Sequence, residues 1–188
     1  MGEACANLIE VSPPKDLVPM CGEWYAVQTA YRCEQRAARD LTSKGFNIYL
    51  PLLRQTHRWK DRWKVVEVPA FSGYLFVNYE STLRERVRIL ETSGIIRLLG
   101  GNHTPLPVPE QEIEAVRRAV ESGVDCLQCD SLVPGARVEV KRGPLAGLRG
   151  RLVRFKSGLR LVIAISVFSH AISAEVGLND VEALHGGF

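Results

Sequence analysis

Short apolar runs and helical periodicities alternate along the first two-thirds of the chain. Residues 24–29 form an apolar run of strand formers, which predicts a β-strand. Residues 32–44 predict a helix, because Cys33, Ala37 and Leu41 recur at four-residue spacing and would share one face. The first two predicted elements are therefore a strand and a helix.

Several strands are predicted next. Residues 48–53 read as a strand in which Pro51 indicates a sheet edge or a bend. The polar and basic stretch 54–64 is typical of a hairpin tip, and it leads into the alternating run 65–68. Residues 71–77 are strongly apolar and predict a further strand. A hairpin should therefore precede a buried strand.

Two more helices complete this part of the chain. Thr82 and Glu85 have the spacing of a capping box and predict a second helix, and residues 95–99 predict another strand. Pro109 suits the first turn of a third helix, which Gly123 would close. The order β-α-β-β-β-α-β-α predicts an α+β domain with a mixed or antiparallel sheet and three helices packed on it.

The pattern changes to all-β from Pro134 onward. Glycines mark turns at close intervals, and the odd positions of the run 159–168 are uniformly aliphatic, which predicts the short strands of a small barrel. The expected organisation is a flexible leader over 1–22, the α+β domain over 23–123, a linker over 124–132, the barrel over 133–184 and a tail over 185–188.

The alternation of side chains along the strand predicts which way Phe168 points. If the strand stays regular, the even positions from Arg160 to Phe168 point outward, and an exposed phenylalanine on a small domain often marks a partner site. Alternatively, the strand ends before Phe168 and the ring packs in the core. Both alternatives stay open from the pattern alone.

Positive charge is concentrated in two stretches, although the net charge is only +3. Residues 54–64 carry five basic side chains against Asp61, and residues 137–160 carry eight against Glu139. Such patches attract phosphate backbones, and the alternative is two solvated faces. Further arginines lie along the first predicted helix. The nucleic-acid contact candidates are Arg32, Arg36, Arg39, Arg54, Arg58, Lys60, Arg62 and Lys64.

Several classes of protein are disfavoured. No apolar run approaches the roughly 18 residues of a membrane helix, and the N-terminus lacks the order of a signal peptide, so a cytoplasmic protein without membrane contact is expected. The five cysteines include the pair Cys126 and Cys129, but no second pair completes a metal site. The chain has no P-loop, HExxH or GxSxG motif. We therefore expect neither an enzyme nor a cofactor or metal.

Two blocks resemble a known family. The block 135–154 resembles a KOW motif, with Gly143, Pro144 and Gly150 at the motif's turn positions. Upstream, Trp24–Tyr25 and the block 69–77 resemble the N-terminal domain of NusG proteins. The resemblance covers about residues 24–184. It is nearest to the specialised UpxY-like and RfaH-like antiterminators, on the stretch from Leu52 to Val77.

The resemblance implies a non-enzymatic transcription elongation and antitermination factor that acts as a monomer across the RNA polymerase cleft, where it suppresses pausing or termination. Phe71, Tyr74 and Phe76 match the hollow that receives the polymerase clamp helices, and Arg86 and Arg88 match the region facing the other side of the cleft. A regular strand would point Phe71 away from the other two rings, so a bend at residues 72–73 is needed.

The resemblance also implies further partners. Non-template DNA or nascent RNA could contact the basic residues, and Phe168 matches the barrel position that contacts a small-subunit ribosomal protein or Rho. A different function also stays open, that of a ribosome- or RNA-binding protein that acts in translation through its KOW barrel alone. Retention of RNA polymerase would support the transcription factor over the translation protein.

Overall fold

The computed structural model describes residues 22–59, 62–100, 104–129, 135–155, 158–167 and 170–184. The N-terminal part of these contains three α-helices and seven strands. They are β1 (Glu23–Thr29), α1 (Glu34–Ser43), β2 (Asn47–Tyr49), β3 (Leu52–Trp59), β4 (Arg62–Pro69), β5 (Tyr74–Tyr79), α2 (Leu83–Leu90), β6 (Ile95–Leu98), β7 (Pro107–Val108) and α3 (Glu110–Glu121).

The remaining described residues are mostly β-structure. They form β8 (Cys126–Cys129), β9 (Ala136–Val140), β10 (Arg149–Phe155), β11 (Gly158–Ala164), β12 (Ala171–Glu175), a 3-10 helix (Leu178–Asp180) and β13 (Val181–Ala183). An α+β domain followed by an all-β unit was predicted from the hydrophobic pattern, and this fold class is confirmed.

The N-terminal sheet is buried on both faces. Its strands run in the order β2-β5-β1-β6, with β7 also paired to β1, and the central pair β1 and β5 is antiparallel. Tyr25 and Val27 face the side covered by α1 and α2, whereas Trp24 and Ala26 face the side on which α3 packs. Burial on both sides explains why β1 reads as a continuous apolar run.

The start of α2 follows the predicted capping pattern in part. The Thr82 hydroxyl accepts a hydrogen bond from the Glu85 amide at 3.3 Å, which satisfies one free amide of the first turn. The Glu85 carboxylate does not complete the box, because it accepts two hydrogen bonds from Arg88 within α2. The helix ends at Leu90.

Strands β3 and β4 form a two-stranded sheet of their own. Their register runs from Leu52 opposite Pro69 to Trp59 opposite Arg62, so the stretch predicted as a hairpin tip is mostly paired strand. The prediction of a single strand over 48–53 is wrong, because Leu50 and Pro51 interrupt the β-structure between β2 and β3. The hairpin base is held by Leu53, which is buried.

The C-terminal sheet has six antiparallel strands in the order β13-β9-β10-β11-β12-β8. Strand β8 lies inside the stretch predicted as a linker over 124–132, and it pairs with β12 from Cys126–Ala174 to Cys129–Ala171. That prediction is wrong for residues 126–129, since the edge of β12 offers a backbone partner that the sequence pattern does not reveal.

The parity prediction for the run 159–168 holds for one face only. Leu161, Ile163 and Ile165 are buried as expected, but Arg160 and Val162 are also only 2% exposed. The exposure expected for the even positions is therefore wrong for these two, because the second face of β11 is covered as well. Phe168 lies outside the described residues, so its orientation stays a prediction.

Helix α3 lies between the two sheets. One continuous hydrophobic cluster joins Trp24 and Phe76 of the N-terminal sheet, Val116 of α3, and Leu161 and Ile172 of the C-terminal sheet. The two sheets thus share an interior across α3. Among the described residues, no helix is long and apolar enough to cross a bilayer.

Candidate functional site

A tight turn brings the three predicted aromatic residues to one side of the N-terminal sheet. The Tyr74 amide donates to the Phe71 carbonyl at 3.1 Å, and Gly73 between them has φ of 80°, a conformation that favours glycine. As a result, the Phe71 ring meets the Phe76 ring edge-on at a centroid distance of 5.8 Å. The bend needed at residues 72–73 is therefore present.

The three rings differ in accessibility. Phe71 and Phe76 are 1% and 0% exposed, so in this arrangement neither can contact a partner directly. Tyr74 is half-buried and lies at the rim of the cluster. Two of the three rings are thus enclosed in this conformation, and the assignment of all three to a polymerase-binding hollow stays a prediction.

Other residues fix the turn that precedes Tyr74. The buried Glu34 carboxylate in the first turn of α1 accepts a hydrogen bond from the Gly73 amide at 2.7 Å, and the Gly73 carbonyl accepts one from the Thr29 amide at 2.8 Å. Helix α1 and strand β1 therefore hold the β4–β5 turn in place. This role of Glu34 could not be predicted from the sequence, since a carboxylate at a helix start is common.

The aromatic cluster extends beyond the predicted residues. Tyr49 lies opposite Phe76 in the β2–β5 register and stacks on its ring at 6.1 Å, and Trp24 meets Tyr49 edge-on at 6.5 Å. The Arg117 guanidinium of α3 lies 5.1 Å above the Tyr49 ring. Burial raises the pKa of Tyr49, so its hydroxyl stays neutral. The sequence alone does not place Tyr49 and Arg117 in this cluster, because their positions depend on the pairing of β2 with β5.

The C-terminal sheet contacts the rim of this cluster. The His170 and Tyr74 rings lie 5.3 Å apart. From β8, the Gln128 side-chain amide donates to the Pro69 carbonyl at 2.5 Å and to the Ser72 hydroxyl at 3.1 Å. We call these contacts, together with those of α3 described next, the closed contact. It covers one side of Tyr74 and the β4–β5 turn.

Helix α3 contributes the other part of the closed contact. Near its start, Glu112 accepts hydrogen bonds from the Ser166 amide at 2.8 Å and from the Ser166 hydroxyl at 3.1 Å. Towards its end, Arg118 donates to the Ala146 carbonyl in the turn between β9 and β10. The C-terminal sheet is therefore held at both ends of the helix.

Cys126 is packed in the shared interior. Its thiol lies 3.5 Å from the Ala119 carbonyl of α3, and burial raises the pKa of that thiol to about 11. A neutral buried thiol is a poor nucleophile and a poor metal ligand. Among the described residues, no group of three or more His, Cys, Asp or Glu side chains is placed to hold a metal ion.

The two arginines predicted at the far side of the cleft differ. The Arg88 guanidinium bonds to Glu85 and to the Lys44 carbonyl at 2.5 Å, and it lies 4.9 Å above the Phe46 ring. Arg88 therefore joins α2 to the end of α1, and its availability for a partner is reduced. Arg86 is half-buried, with its charge near the Tyr79 hydroxyl.

Helix α2 carries an apolar stripe that the sequence reasoning missed. Leu83, Val87 and Leu90 are spaced by four and three residues, and all three are exposed. Such spacing places them on one face of the helix. The usual signal, apolar residues at helical spacing, was present, but it normally indicates a core-facing side.

The three arginines predicted around α1 are all exposed. Arg32 has φ of 58°, which is uncommon for a residue other than glycine, and its guanidinium lies 5.0 Å above the ring of Tyr31. Arg36 pairs loosely with Asp40 at 3.8 Å, and Arg39 bonds to a carbonyl of its own helix. These side chains present positive charge to solvent.

The basic stretch 54–64 lies on the β3–β4 hairpin. Arg54 is exposed and pairs with Glu67 at 3.6 Å, and Lys64 is exposed. Arg58 and Arg62 lie in the paired strands, while Lys60 falls outside the described residues. The hairpin therefore places the predicted cations along a two-stranded ribbon.

The predicted KOW turn residues lie at the β9–β10 connection. Gly143 and Pro144 are in the turn, and Gly150 is the second residue of β10, opposite Val138 of β9. A Cβ on Gly150 would lie 2.5 Å from the Val162 carbonyl oxygen, so only glycine fits without movement. In the same unit, hydrogen bonds from Lys141 and Arg149 lower the pKa of Glu139.

Comparison with known proteins gives consistent matches. Residues 22–117 match the family described as Transcription termination factor nusG. The transcription termination/antitermination protein NusG of Chlamydia pneumoniae is 28% identical over 173 residues, covering 85% of this chain and 91% of the relative. The protein of the same name from Rickettsia typhi is 24% identical over 171 residues, covering 85% and 89%.

A solved structure has the same fold. The structure titled Domain interaction in Thermotoga maritima NusG aligns with a TM-score of 0.57 at 16% sequence identity, covering 88% of this chain and 99% of that chain. Since the family match spans more than half of the sequence, the protein belongs to the NusG family of transcription termination/antitermination factors.

Proposed function

We propose that the protein binds RNA polymerase through the surface around Tyr74 and the β4–β5 turn, and that it promotes elongation or antitermination without catalysing a reaction. The observation that carries the proposal is an aromatic cluster with one half-buried ring at its rim. Aromatic residues at the centre of a surface are the usual energetic contributors to a protein interface. A pair of polymerase helices suits such a surface.

The closed contact must open for this binding. His170 and Gln128 of the C-terminal part lie against Tyr74 and the β4–β5 turn, so they and a polymerase helix pair would compete for the same place. Opening would also uncover apolar surface that the C-terminal sheet now shields. Polymerase therefore binds the open form, and the closed form lowers the apparent affinity by its population.

A second contact is proposed on α2. The exposed stripe of Leu83, Val87 and Leu90, with Arg86 beside it, offers apolar area and positive charge at a distance from Tyr74. Two contacts on opposite sides of the polymerase cleft would favour its closed clamp. Because a factor stabilises the state that it binds better, pausing and termination that need clamp movement would become less frequent.

Further partners are proposed for the other predicted surfaces. The exposed arginines of α1 and the basic hairpin would contact non-template DNA or nascent RNA. The C-terminal sheet, once released, would bind a small-subunit ribosomal protein or Rho through Phe168. Within the family, we propose a specialised role like that of the UpxY-like and RfaH-like antiterminators. The resemblance of the hairpin sequence to those proteins supports this proposal.

The test is retention of cognate core RNA polymerase on immobilised full-length protein, without nucleic acid. Wild type should retain polymerase, and Tyr74→Ala should weaken the complex by about 2 kcal/mol or more, roughly 30-fold, as expected for a hot-spot ring. Tyr31→Ala removes an equally large ring that is 80% exposed elsewhere, and it should bind as wild type.

The outcomes separate the hypotheses. Loss of binding in Tyr74→Ala alone supports the assigned surface. Equal loss in Tyr31→Ala would reject that assignment. No retention of polymerase by wild type, together with binding to structured ribosomal RNA, would favour the alternative of a KOW protein acting in translation.

A further inference from the structure

We propose that the outer face of the β3–β4 hairpin binds an unpaired stretch of nucleic acid, with the Trp63 indole stacked on a base. We define the hairpin face by its described side chains Arg54, Thr56, Trp63, Val65 and Glu67. The inference deepens the nucleic-acid contact proposed above by naming the form of the ligand and the side chain that recognises it. It does not depend on polymerase binding.

The register of the hairpin separates its two faces. Arg54 lies opposite Glu67 and Thr56 opposite Val65, and Trp63 follows at the next position of the same parity. All five side chains of the hairpin face are exposed. On the opposite face Leu53 is buried and Val66 and Val68 are half-buried, which shows that this side is turned towards the body of the domain.

Two apolar side chains on this face are largely exposed. Trp63 is 67% exposed and Val65 is 60% exposed. They are two residues apart on β4, which corresponds to about 7 Å along the strand. Among the described residues, β3 and β4 pair only with each other, so they form a two-stranded ribbon separate from the N-terminal sheet. An exposed apolar patch on such a ribbon is typical of a binding surface.

The charge of the ribbon restricts the class of ligand. The two strands carry four cationic residues, Arg54, Arg58, Arg62 and Lys64, against the single acid Glu67. Arg54 is only loosely paired with Glu67, and the side chain of this arginine is 81% exposed. A ligand must therefore offer a flat apolar group and negative charge at short spacing. A nucleobase flanked by phosphates has both properties.

The indole favours an unpaired strand over a duplex. In a double helix the faces of the bases are covered by their neighbours, so an aromatic ring on a sheet surface can stack only after unstacking them, at a cost of a few kcal/mol. An unpaired base presents its face freely, and stacking on an aromatic side chain is tolerant of base identity. Both single-stranded DNA and single-stranded RNA meet this description.

The experiment uses the full-length protein and fluorescently labelled oligonucleotides of about 12 nucleotides, within the site sizes known for unpaired strands. Fluorescence anisotropy is measured for single-stranded DNA, single-stranded RNA of the same sequence, and the DNA duplex. Both single strands or one of them should bind more tightly than the duplex. The DNA and RNA arms identify which unpaired strand is preferred.

Variants test the stacking. Trp63→Ala should weaken binding by roughly 5- to 150-fold, the range for removal of one stacking ring. Trp63→Phe keeps an aromatic face and should stay within about threefold of wild type, because phenylalanine side chains also stack on unpaired bases. Leu178→Ala, which removes a 64% exposed apolar side chain in the C-terminal part, should have no effect.

Salt dependence tests the role of charge. Measured between about 50 and about 200 mM KCl on a single strand, Arg54→Gln should reduce the slope of log K against log salt by about 0.7 if Arg54 contacts one phosphate. Trp63→Ala should lower affinity without changing this slope. If the substitutions acted only by disturbing the structure, the salt slope and the affinity would not respond separately to the two variants.

Several results would overturn the inference. They are equal binding of wild type and Trp63→Ala, tighter binding of the duplex than of either strand, no binding of any oligonucleotide, or stronger competition by an acidic aromatic peptide than by unlabelled single strands. Retention of core polymerase is measured on the same variants. If Trp63→Ala binds oligonucleotides as wild type does while Tyr74→Ala loses polymerase, this inference fails and the proposed function stands.

Discussion

Removal of one carboxylate in the closed contact should increase the affinity for polymerase. Glu112 accepts two hydrogen bonds from Ser166, at 2.8 and 3.1 Å, across the junction between α3 and the C-terminal sheet. Glu112→Ala removes both. Since Tyr74 must be uncovered before polymerase binds, a variant with a weaker closed contact should bind polymerase more tightly than wild type.

The size of the effect follows from the geometry. Hydrogen bonds to a charged group contribute about 1.5–3 kcal/mol each when buried. These two are exposed, and exposed charged contacts contribute only about 0–1 kcal/mol. We therefore assign about 1 kcal/mol to the pair, which corresponds to about a fivefold larger open fraction and a fivefold lower apparent Kd while the closed form predominates.

The assay is the equilibrium affinity of immobilised full-length protein for cognate core polymerase. Glu110→Ala is the matched control, because Glu110 is also an acid in the first turn of α3 and its removal has a similar effect on the helix dipole. In the described part of the chain, the Glu110 carboxylate makes no hydrogen bond to the C-terminal sheet. An unchanged or weaker affinity for Glu112→Ala, relative to this control, would refute competition between closure and polymerase binding.

Three further predictions concern stability. Arg160 is 2% exposed and bonds to the Ser173 hydroxyl, the Ser173 carbonyl and the Asp125 carbonyl, so Arg160→Met should lower the free energy of unfolding by about 2–4 kcal/mol in urea titrations. Asp125→Asn weakens only an exposed carboxylate and should cost less than about 1 kcal/mol; equal losses would contradict this account of Arg160. Gly150→Ala should destabilise the C-terminal sheet by about 1–3 kcal/mol, because its Cβ would meet the Val162 carbonyl, and an unchanged Tm would contradict that contact. Folding raises the pKa of Cys126 from 9.0 to about 11, so its contribution to stability is complete below pH 9 and is lost as the pH rises towards 11. Between these pH values, titration of Cys126 should lower the free energy of unfolding by at most about 1.4 kcal/mol per pH unit. In Cys126→Ala the free energy of unfolding should therefore decrease less steeply with pH than in wild type. An identical pH dependence in both proteins would exclude this role of the thiol.

The alternation of apolar and polar residues was sufficient to predict the two kinds of fold and most helices. It failed where pairing between distant segments decides the structure. Residues 126–129 look like a linker because their short polar and thiol pattern carries no strong strand signal, and they become β8 only because the edge of β12 is available. The same holds for Tyr49, whose position in the aromatic cluster depends on the pairing of β2 with β5.

Burial on both faces explains the remaining errors. Alternation along β11 predicts one solvent face, but the Arg160 guanidinium is bonded to Asp125 and Ser173 inside the protein. Likewise, Phe71 and Phe76 were expected at an open hollow and are instead enclosed. A sequence pattern shows which side chains are apolar, whereas the element that covers them is set by the tertiary arrangement. The assigned polymerase and nucleic-acid contacts stay predictions.

Photo-crosslinking from position 74 tests the central claim most directly. A protein with p-benzoyl-phenylalanine in place of Tyr74 should crosslink to its own C-terminal part when alone. With core polymerase present, it should crosslink to the clamp helices of the largest subunit, and the internal crosslink should decrease in proportion. A polymerase complex in which position 74 crosslinks only within the protein, while position 31 crosslinks to the largest subunit, would contradict the account.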